Sequence, residues 1–219
     1  MSYIPTILST KELTIEQTDF LEKIGFSVTS IDFITTNSLN FKIQQKPTLL
    51  LFTSQNAVKS ILNSIFLEEL KPIPVICVGL KTKNLLEKEG FYVLAYTDYA
   101  EQLALKIIDN YSIEKIAFFA GNIRRNTLPD AMNLHQISFI EYTVYETIET
   151  SHIIDFTPEI VLFYSPSGVR SYLKNNQIKN SKAICIGTTT AEALQEITDN
   201  IFISEIPTVE SVLEKCKSI

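Results

Sequence analysis

Two stretches of this chain repeat each other in order. LLFTSQNAVKSIL, starting at Leu50, is matched by VLFYSPSGVRSYL, starting at Val161; Ser54 stands opposite Ser165, Val58 opposite Val169 and Leu62 opposite Leu173. Further on, ICVGLKTKNLL is matched by ICIGTTTAEAL, with Cys77 opposite Cys185, Gly79 opposite Gly187 and Thr82 opposite Thr190. The first pair is separated by 111 residues (165 − 54) and the second by 108 (185 − 77), so the second copy is three residues shorter between its motifs. A two-part match in the same order points to a duplicated structural unit. A chain of 219 residues holds two such units of about 100 residues each.

Short apolar runs alternate with amphipathic stretches along the whole chain. TILST, FSVTSIDFI, TLLLFTS, PVICVG, YVLAY, KIAFFAG, EIVLFYS, KAICIG and NIFIS read as strands. LTIEQTDFLEKI, NAVKSILNSIF, KTKNLLEKE, AEQLALKIIDNY, PSGVRSYL, TTAEALQEI and TVESVLEKC carry apolar residues at helical spacing, and Gly25 and Gly90 stand at C-terminal cap positions. Strands alternating with helices of about ten residues imply parallel sheets covered on both faces. The predicted class is α/β, with two similar doubly wound domains.

The first copy is preceded by a complete strand–helix–strand unit, residues 6–34, and then by the polar stretch TTNSLNFKIQQK. Between the copies lies SFIEYTVYETIET, an alternating run without glycine or proline that reads as an extended strand rather than a linker. One layout accounts for both: residues 36–145 form a domain inserted into an outer domain made of residues 1–35 and 146–219. Two antiparallel connectors, near 34–37 and 142–147, would then pass between them. A plain division into N-terminal and C-terminal halves is the alternative.

A net charge of −6 argues against general nucleic-acid binding, which needs a basic footprint, yet leaves room for a small anionic ligand held locally. No apolar run approaches the roughly 20 residues of a membrane span. MSYIPTILSTKELT lacks the basic start and apolar core of a signal peptide. Three cysteines cannot all pair within one chain, and Cys77 and Cys185 sit inside apolar runs where a free thiol acts as a small buried hydrophobe. A cytoplasmic protein is expected.

Both repeats place hydroxyls where a strand gives way to a helix: Thr53 and Ser54 in one, Ser165 and Ser167 in the other. Thr82 and Thr188, Thr189 and Thr190 stand in the same way beyond two glycines. Such residues cap helices, and a strand end followed by a helix N-terminus is also a ready anion site; the two uses are compatible. AGNIRRNTL brings Gly121, Asn122, Arg124 and Arg125 to another strand-to-helix turn, either as a solvated basic turn or as a carboxylate-binding fork. His135 and His152 have no metal-ligand partner at suitable spacing, and no Walker loop, G-x-S-x-G elbow, H-E-x-x-H or dinucleotide glycine fingerprint is present. No metal or nucleotide cofactor is therefore expected. Strand alternation would place Tyr142 and Tyr145 on opposite faces, where either packs on the sheet or donates to a leaving group.

Taken together, LLFTSQNAV, AGNIRRNTLPDAM, YTVYET, VLFYSPSGV, ICIGTTTAEAL and PTVESVLE resemble, in family order, the motifs of uroporphyrinogen-III synthases. The match runs over roughly residues 6–215; each motif is loose alone, and the ordered set is specific. The resemblance implies two α/β domains joined by a two-stranded ladder, one inserted in the other. It also implies a cofactor-free conversion of hydroxymethylbilane to uroporphyrinogen III with loss of water. Hydroxyl leaves ring A, ring D attacks through its substituted carbon to give a spiro intermediate, and fragmentation and reclosure leave ring D inverted. In that scheme Tyr145 assists departure of the hydroxyl. Ser165, Thr189 and Thr190 line the cleft from the outer domain, Thr53 and Ser54 from the middle one, and Arg125 matches the arginine of the glycine–arginine segment. Where the family often carries arginine after the first strand, this chain has Lys11, which keeps the charge and loses the fork.

The substrate closes spontaneously, mainly to the symmetrical type I isomer, so the protein's task is orientation more than proton transfer. A carboxylate-rich linear tetrapyrrole suits a site of N–H groups, hydroxyls and few arginines. The expected partner is that small molecule, with no nucleic acid or membrane, a monomeric chain, and at most transient contact with the preceding pathway enzyme. The rival reading is a two-lobed tetrapyrrole-binding sensor that has lost catalysis.

Overall fold

In a computed structural model, which describes residues 3–219, the chain falls into two compact units. Among the described residues, one comprises 3–35 and 148–219, the other 36–147.

The continuous unit is built on β3 (Ile34–Ser38), β4 (Leu49–Phe52), β5 (Val75–Val78), β6 (Val93–Thr97), β7 (Ile116–Gly121) and β8 (Phe139–Glu149), in the order β3-β8-β7-β4-β5-β6. β8, β7, β4, β5 and β6 are mutually parallel. β3 runs against β8: Leu39 N donates to Val144 O, whereas Thr150 N donates to Phe33 O, so numbering rises on one strand as it falls on the other. Every residue of β4 is buried, because helices cover both faces of a parallel sheet. Leu50 and Phe52 pack on one side with Ala57, Val58 and Ile61 of α2 (Gln55–Leu62) and Leu86 of α4 (Leu80–Lys88). Leu49 and Leu51 pack on the other with Leu103 and Ile107 of α5 (Ala100–Asn110) and Met132 of α6 (Thr127–Leu134). A one-turn helix, α3 (Leu67–Leu70), completes this unit.

The discontinuous unit holds β1 (Thr6–Ser9), β2 (Ser27–Ser30), β9 (Ile160–Phe163), β10 (Lys182–Cys185) and β11 (Ile201–Ile203), all parallel in the order β11-β10-β9-β1-β2. Val161 and Phe163 face α7 (Pro166–Leu173) and α8 (Thr188–Glu192). Ile160 and Leu162 face α1 (Ile15–Lys23) and α9 (Val209–Lys215).

Strand for strand, β9, β10 and β11 correspond to β4, β5 and β6, and β1 and β2 stand where β7 and β8 stand. The helices follow the same rule, α7 and α8 matching α2 and α4. The N-terminal strand–helix–strand segment therefore fills in one unit the place that the later β7–α6–β8 segment fills in the other. In each sheet the direction of strand addition reverses once, between β4 and β7 and between β1 and β9. Ligands of open α/β sheets bind beyond the carboxyl ends of strands at such a reversal.

Gly25 and Gly90 lie at φ +103° and +82°, the left-handed conformation that ends α1 and α4. The segment predicted as a connector near 34–37 falls in β3, and α8 closes after five residues, shorter than the predicted TTAEALQEI helix. Its three consecutive threonines are poor helix formers. Among the described residues no helix is long and apolar enough to cross a membrane, and no group of acidic, histidine and cysteine side chains could hold a metal ion.

Candidate functional site

At the β4/β7 reversal, β4 ends at Phe52 and Ser54 caps α2, its hydroxyl accepting Asn56 N at 3.0 Å. The same hydroxyl oxygen accepts the phenol of Tyr145 at 3.1 Å. Ninety-one residues of chain separate the two. Thr53 is half-buried beside them.

Tyr145 reaches this point through a β-bulge. β7 and β8 stay in step from Ile116/Phe139 to Ala120/Thr143, and then Gly121 pairs with Tyr145, one residue out of register. The extra residue cancels the alternation expected of the strand. Tyr142, Val144 and Tyr145 all join the cluster beneath α2 and α4, so the prediction that Tyr142 and Tyr145 face opposite ways is corrected. Tyr142 is structural: its ring stacks on Phe119 at 5.4 Å and its hydroxyl accepts Gln44 N at 3.1 Å.

Gly121 makes room for the phenol. A Cβ at Gly121 would lie 2.4 Å from Cζ of Tyr145, 2.6 Å from Cε2 and 2.8 Å from the hydroxyl oxygen. The ring thus rests directly on the glycine backbone. Asn122 extends the pairing past the bulge: its backbone N donates to Tyr145 O at 3.1 Å, and its side-chain oxygen accepts Thr147 N at 2.9 Å. Tyr145 is 9% exposed, pinned on one side by the glycine and on the other by the capping serine.

Arg124 is engaged within its own unit. Its fork is occupied by Glu141, with Nε to Oε1 at 2.6 Å and Nη2 to Oε2 at 2.5 Å, while Nη1 donates to Asn126. That bidentate pair ties the turn after β7 to β8. Asn126, at the N-cap of α6, makes no capping bond of its own. Arg125 stands exposed on the same turn.

The other unit carries a parallel arrangement at the β1/β9 reversal. Ser165 caps α7 by accepting Gly168 N at 3.0 Å and shares a hydroxyl–hydroxyl contact of 3.0 Å with Ser167. Thr10, just beyond β1, donates to Leu162 O at 2.7 Å, and a Cβ at Gly168 would sit between Ser165 Oγ (3.3 Å) and Thr10 Oγ1 (3.6 Å). Ser9 Oγ donates to Lys11 O at 2.5 Å and lies 3.3 Å from the hydroxyl of Tyr164. Burial pushes the Tyr164 phenol well above its ordinary range, against the opposing bond from Ser9. Beyond β10, α8 starts at Gly187 in extended conformation without a side-chain cap. Thr189, half-buried, is in its first turn. Thr190 is 3% exposed and Ser167 7%, and the Ser167 hydroxyl meets that of Ser165.

Within the continuous unit the structure therefore brings Thr53, Ser54 and Tyr145 together and commits Arg124 to Glu141. Within the other it gathers Ser165 and Ser167, with Thr189 and Thr190 on the neighbouring helix. The cradling role of Gly121 and the bridging role of Thr10 were missed in the sequence. A glycine closing an otherwise apolar strand is the signal that could have flagged the first. His135 is exposed at the end of α6, and His152 bonds Asp32 O at 3.0 Å and meets Phe33 edge-on.

A family model described as uroporphyrinogen-III synthase HemD matches residues 16–214. Among solved structures, a uroporphyrinogen-III synthetase from Helicobacter pylori is similar with a TM-score of 0.76 at 22% identity, over 98% of this chain and 99% of that one. A mutant uroporphyrinogen III synthase from the extremely thermophilic bacterium Thermus thermophilus gives 0.66 at 16% identity, over 98% of each. No curated protein matches the sequence significantly. At these identities the structures speak for the fold, and the family match, spanning nearly the whole sequence, speaks for descent: the chain belongs to the uroporphyrinogen-III synthase HemD family.

Proposed function

We propose that the protein closes hydroxymethylbilane to uroporphyrinogen III, with inversion of ring D and loss of water, as a hydro-lyase acting in the cytoplasm as a monomer. The observation that carries this reading is the Tyr145–Ser54 hydroxyl pair at the carboxyl edge of the β4/β7 reversal, in a chain of this family. Tyr145 is assigned to the departing hydroxyl of ring A. A phenol with its ring held on Gly121 and its oxygen on Ser54 is fixed before substrate arrives, so little orientation must be gained during the reaction.

Substrate carboxylates are assigned to Arg125, to the hydroxyl of Thr53, and, on the other unit, to the edge that carries Ser165 and Thr189, while Ser54 is kept for Tyr145. These are donors at strand ends and helix starts, where N–H groups lack intrahelical acceptors. Ser167 and Thr190 stand on the same two helices and are assigned to the same edge. The chain needs to supply orientation, because unassisted closure already occurs and gives the wrong isomer.

An isomer assay tests the proposal. Hydroxymethylbilane is generated in situ, the purified protein added, and the oxidised products separated into type I and type III. Predominantly type III product without added metal or nucleotide is expected. Type I product at the spontaneous rate, from protein shown to be folded, would refute it, and binding of uroporphyrinogen by that protein would make it a sensor.

A further inference from the structure

The bonds around Ser54 leave one proton unassigned. A serine hydroxyl has one proton and two lone pairs. Both lone pairs are taken, one by Asn56 N–H at 3.0 Å and one by the Tyr145 phenol at 3.1 Å. The Ser54 proton is thus available to an acceptor. The pair has a second setting in which Ser54 donates to the Tyr145 oxygen and the phenol proton points outward. Either way the two hydroxyls present a single outward proton, and the switch requires only rotation of two O–H bonds.

The second setting matters for chemistry. Tyr145 is nine-tenths buried, its ring against the apolar cluster beneath α2 and α4. Negative charge that develops on a buried oxygen is stabilised by a hydrogen-bond donor aimed at it. Ser54 is the side chain placed to supply one, and its oxygen is itself polarised by the Asn56 N–H at the positive end of α2.

We propose that Ser54 is a positioning residue for the reaction, turning on substrate binding to donate to the Tyr145 oxygen so that the phenol can give up its proton. This rests on the reading of Tyr145 as the proton donor. The Tyr145 O–H bond breaks as a new O–H bond forms on the ring A hydroxyl, and the C–O bond breaks with its electron pair leaving on water. Ser54 holds the phenolate until it recovers the proton released when ring D regains aromaticity after closure.

The cap can be separated from the donor by substitution. Ser54→Asp keeps a good N-cap next to a helix N-terminus, yet offers an anion where the proposal needs a donor. Ser54→Thr keeps both cap and hydroxyl. Steady-state formation of type III product is measured for these variants, for Ser54→Ala, for Tyr145→Phe and for the Ser54→Ala/Tyr145→Phe double variant, with thermal unfolding of each. Ser54→Ala and Ser54→Asp are expected to lower kcat about tenfold to a hundredfold with KM little changed. Ser54→Asp should unfold like the parent and Ser54→Thr should retain most of the turnover. In the Tyr145→Phe background the loss of Ser54 should cost nothing further. If Ser54→Asp keeps full kcat, or if Ser54 variants raise KM alone, the proposal is overturned and Ser54 is a substrate ligand or a cap. If Tyr145→Phe itself leaves kcat unchanged, the assignment of Tyr145 fails, which is a separate result.

Discussion

Substituting alanine for Gly121 tests the placement of the phenol most directly. Gly121 closes β7 with extended backbone, so alanine there meets no conformational penalty and the effect is purely steric. The new Cβ would stand 2.4 Å from Tyr145 Cζ, and ordinary contact begins at 3.4 Å, so the ring must withdraw by at least 1.0 Å (3.4 − 2.4). The ring has little room to withdraw, since Tyr145 is 9% exposed and belongs to the same buried cluster as Phe52, Phe119 and Val144. Displaced that far, the hydroxyl leaves hydrogen-bond reach of Ser54, where it now sits at 3.1 Å. Overpacking of this kind costs about 1–3 kcal/mol. An ångström of misplacement of a reacting group costs about a hundredfold in turnover. Urea unfolding and steady-state type III formation measure both quantities. Repeating Gly121→Ala in a Tyr145→Leu background, where the clashing ring atoms are gone, should recover most of the stability. A Gly121→Ala protein with parental unfolding and parental kcat would show that the ring does not lie on this glycine, and the positioning argument would fall with it.

Three further outcomes follow from single clusters. Arg124→Ala should destabilise the protein by about 1–2 kcal/mol, since a half-buried bidentate pair with Glu141 is lost, and should leave KM close to parental; a large rise in KM with unchanged unfolding would return Arg124 to the substrate. Cys77, Cys185 and Cys216 are free and buried, which pushes each thiol up to about 12, so a thiol reagent at neutral pH should label none of them in the native state and all three after denaturation. Because these native values lie above the unfolded one near 8.5, their stabilisation is complete below that pH and is lost as pH rises from there towards 12, at about 1.4 kcal/mol per pH unit for each thiol; a melting temperature that holds flat between about pH 9 and 11 would contradict this. Glu149 is held below the usual carboxylate range by Lys174 and then Arg170, each at 2.9 Å, against the opposing pull of burial. A lowered native value stabilises above about pH 4.5 and ceases to do so as pH falls through it, so Glu149→Gln should cost about 0.5–1 kcal/mol near neutrality and nothing near about pH 2.

What the sequence revealed and what it hid divide along the range of the interactions. The runs LLLF and IVLF announced fully buried parallel strands because such strands need no polar face, and Gly25 and Gly90 announced helix ends because a left-handed residue leaves a local signature. β3 was legible only as one of two antiparallel connectors, near 34–37, since a strand at the edge of a sheet carries little apolar patterning. The bulge at Gly121 was equally silent: pairing between β7 and β8 decides it, and alternation read along β8 alone put Tyr145 on the wrong face. Arg124 presented itself as an available cation because nothing local shows that Glu141, seventeen residues on, takes its fork. Thr190 and Ser167 were read from their place after a strand, and how deeply each is buried is set only by packing.

Duplication also explains why the chemistry is assigned to one unit rather than shared. Both units reverse strand order once and cap the following helix with a serine at that point, Ser54 on α2 and Ser165 on α7. The caps then diverge. Ser165 turns to Ser167, two residues away, and closes a local pair, whereas Ser54 takes a phenol from a strand far along the chain. The strand that delivers that phenol, β8, is eleven residues long and bulged, and its counterpart β2 has four residues and no tyrosine. Lengthening one strand and inserting one residue in its register converts a capping hydroxyl into the partner of an ionisable group. Its sister edge also carries a phenol, Tyr164, but that one lies against Ser9 beyond β1 rather than against the capping Ser165.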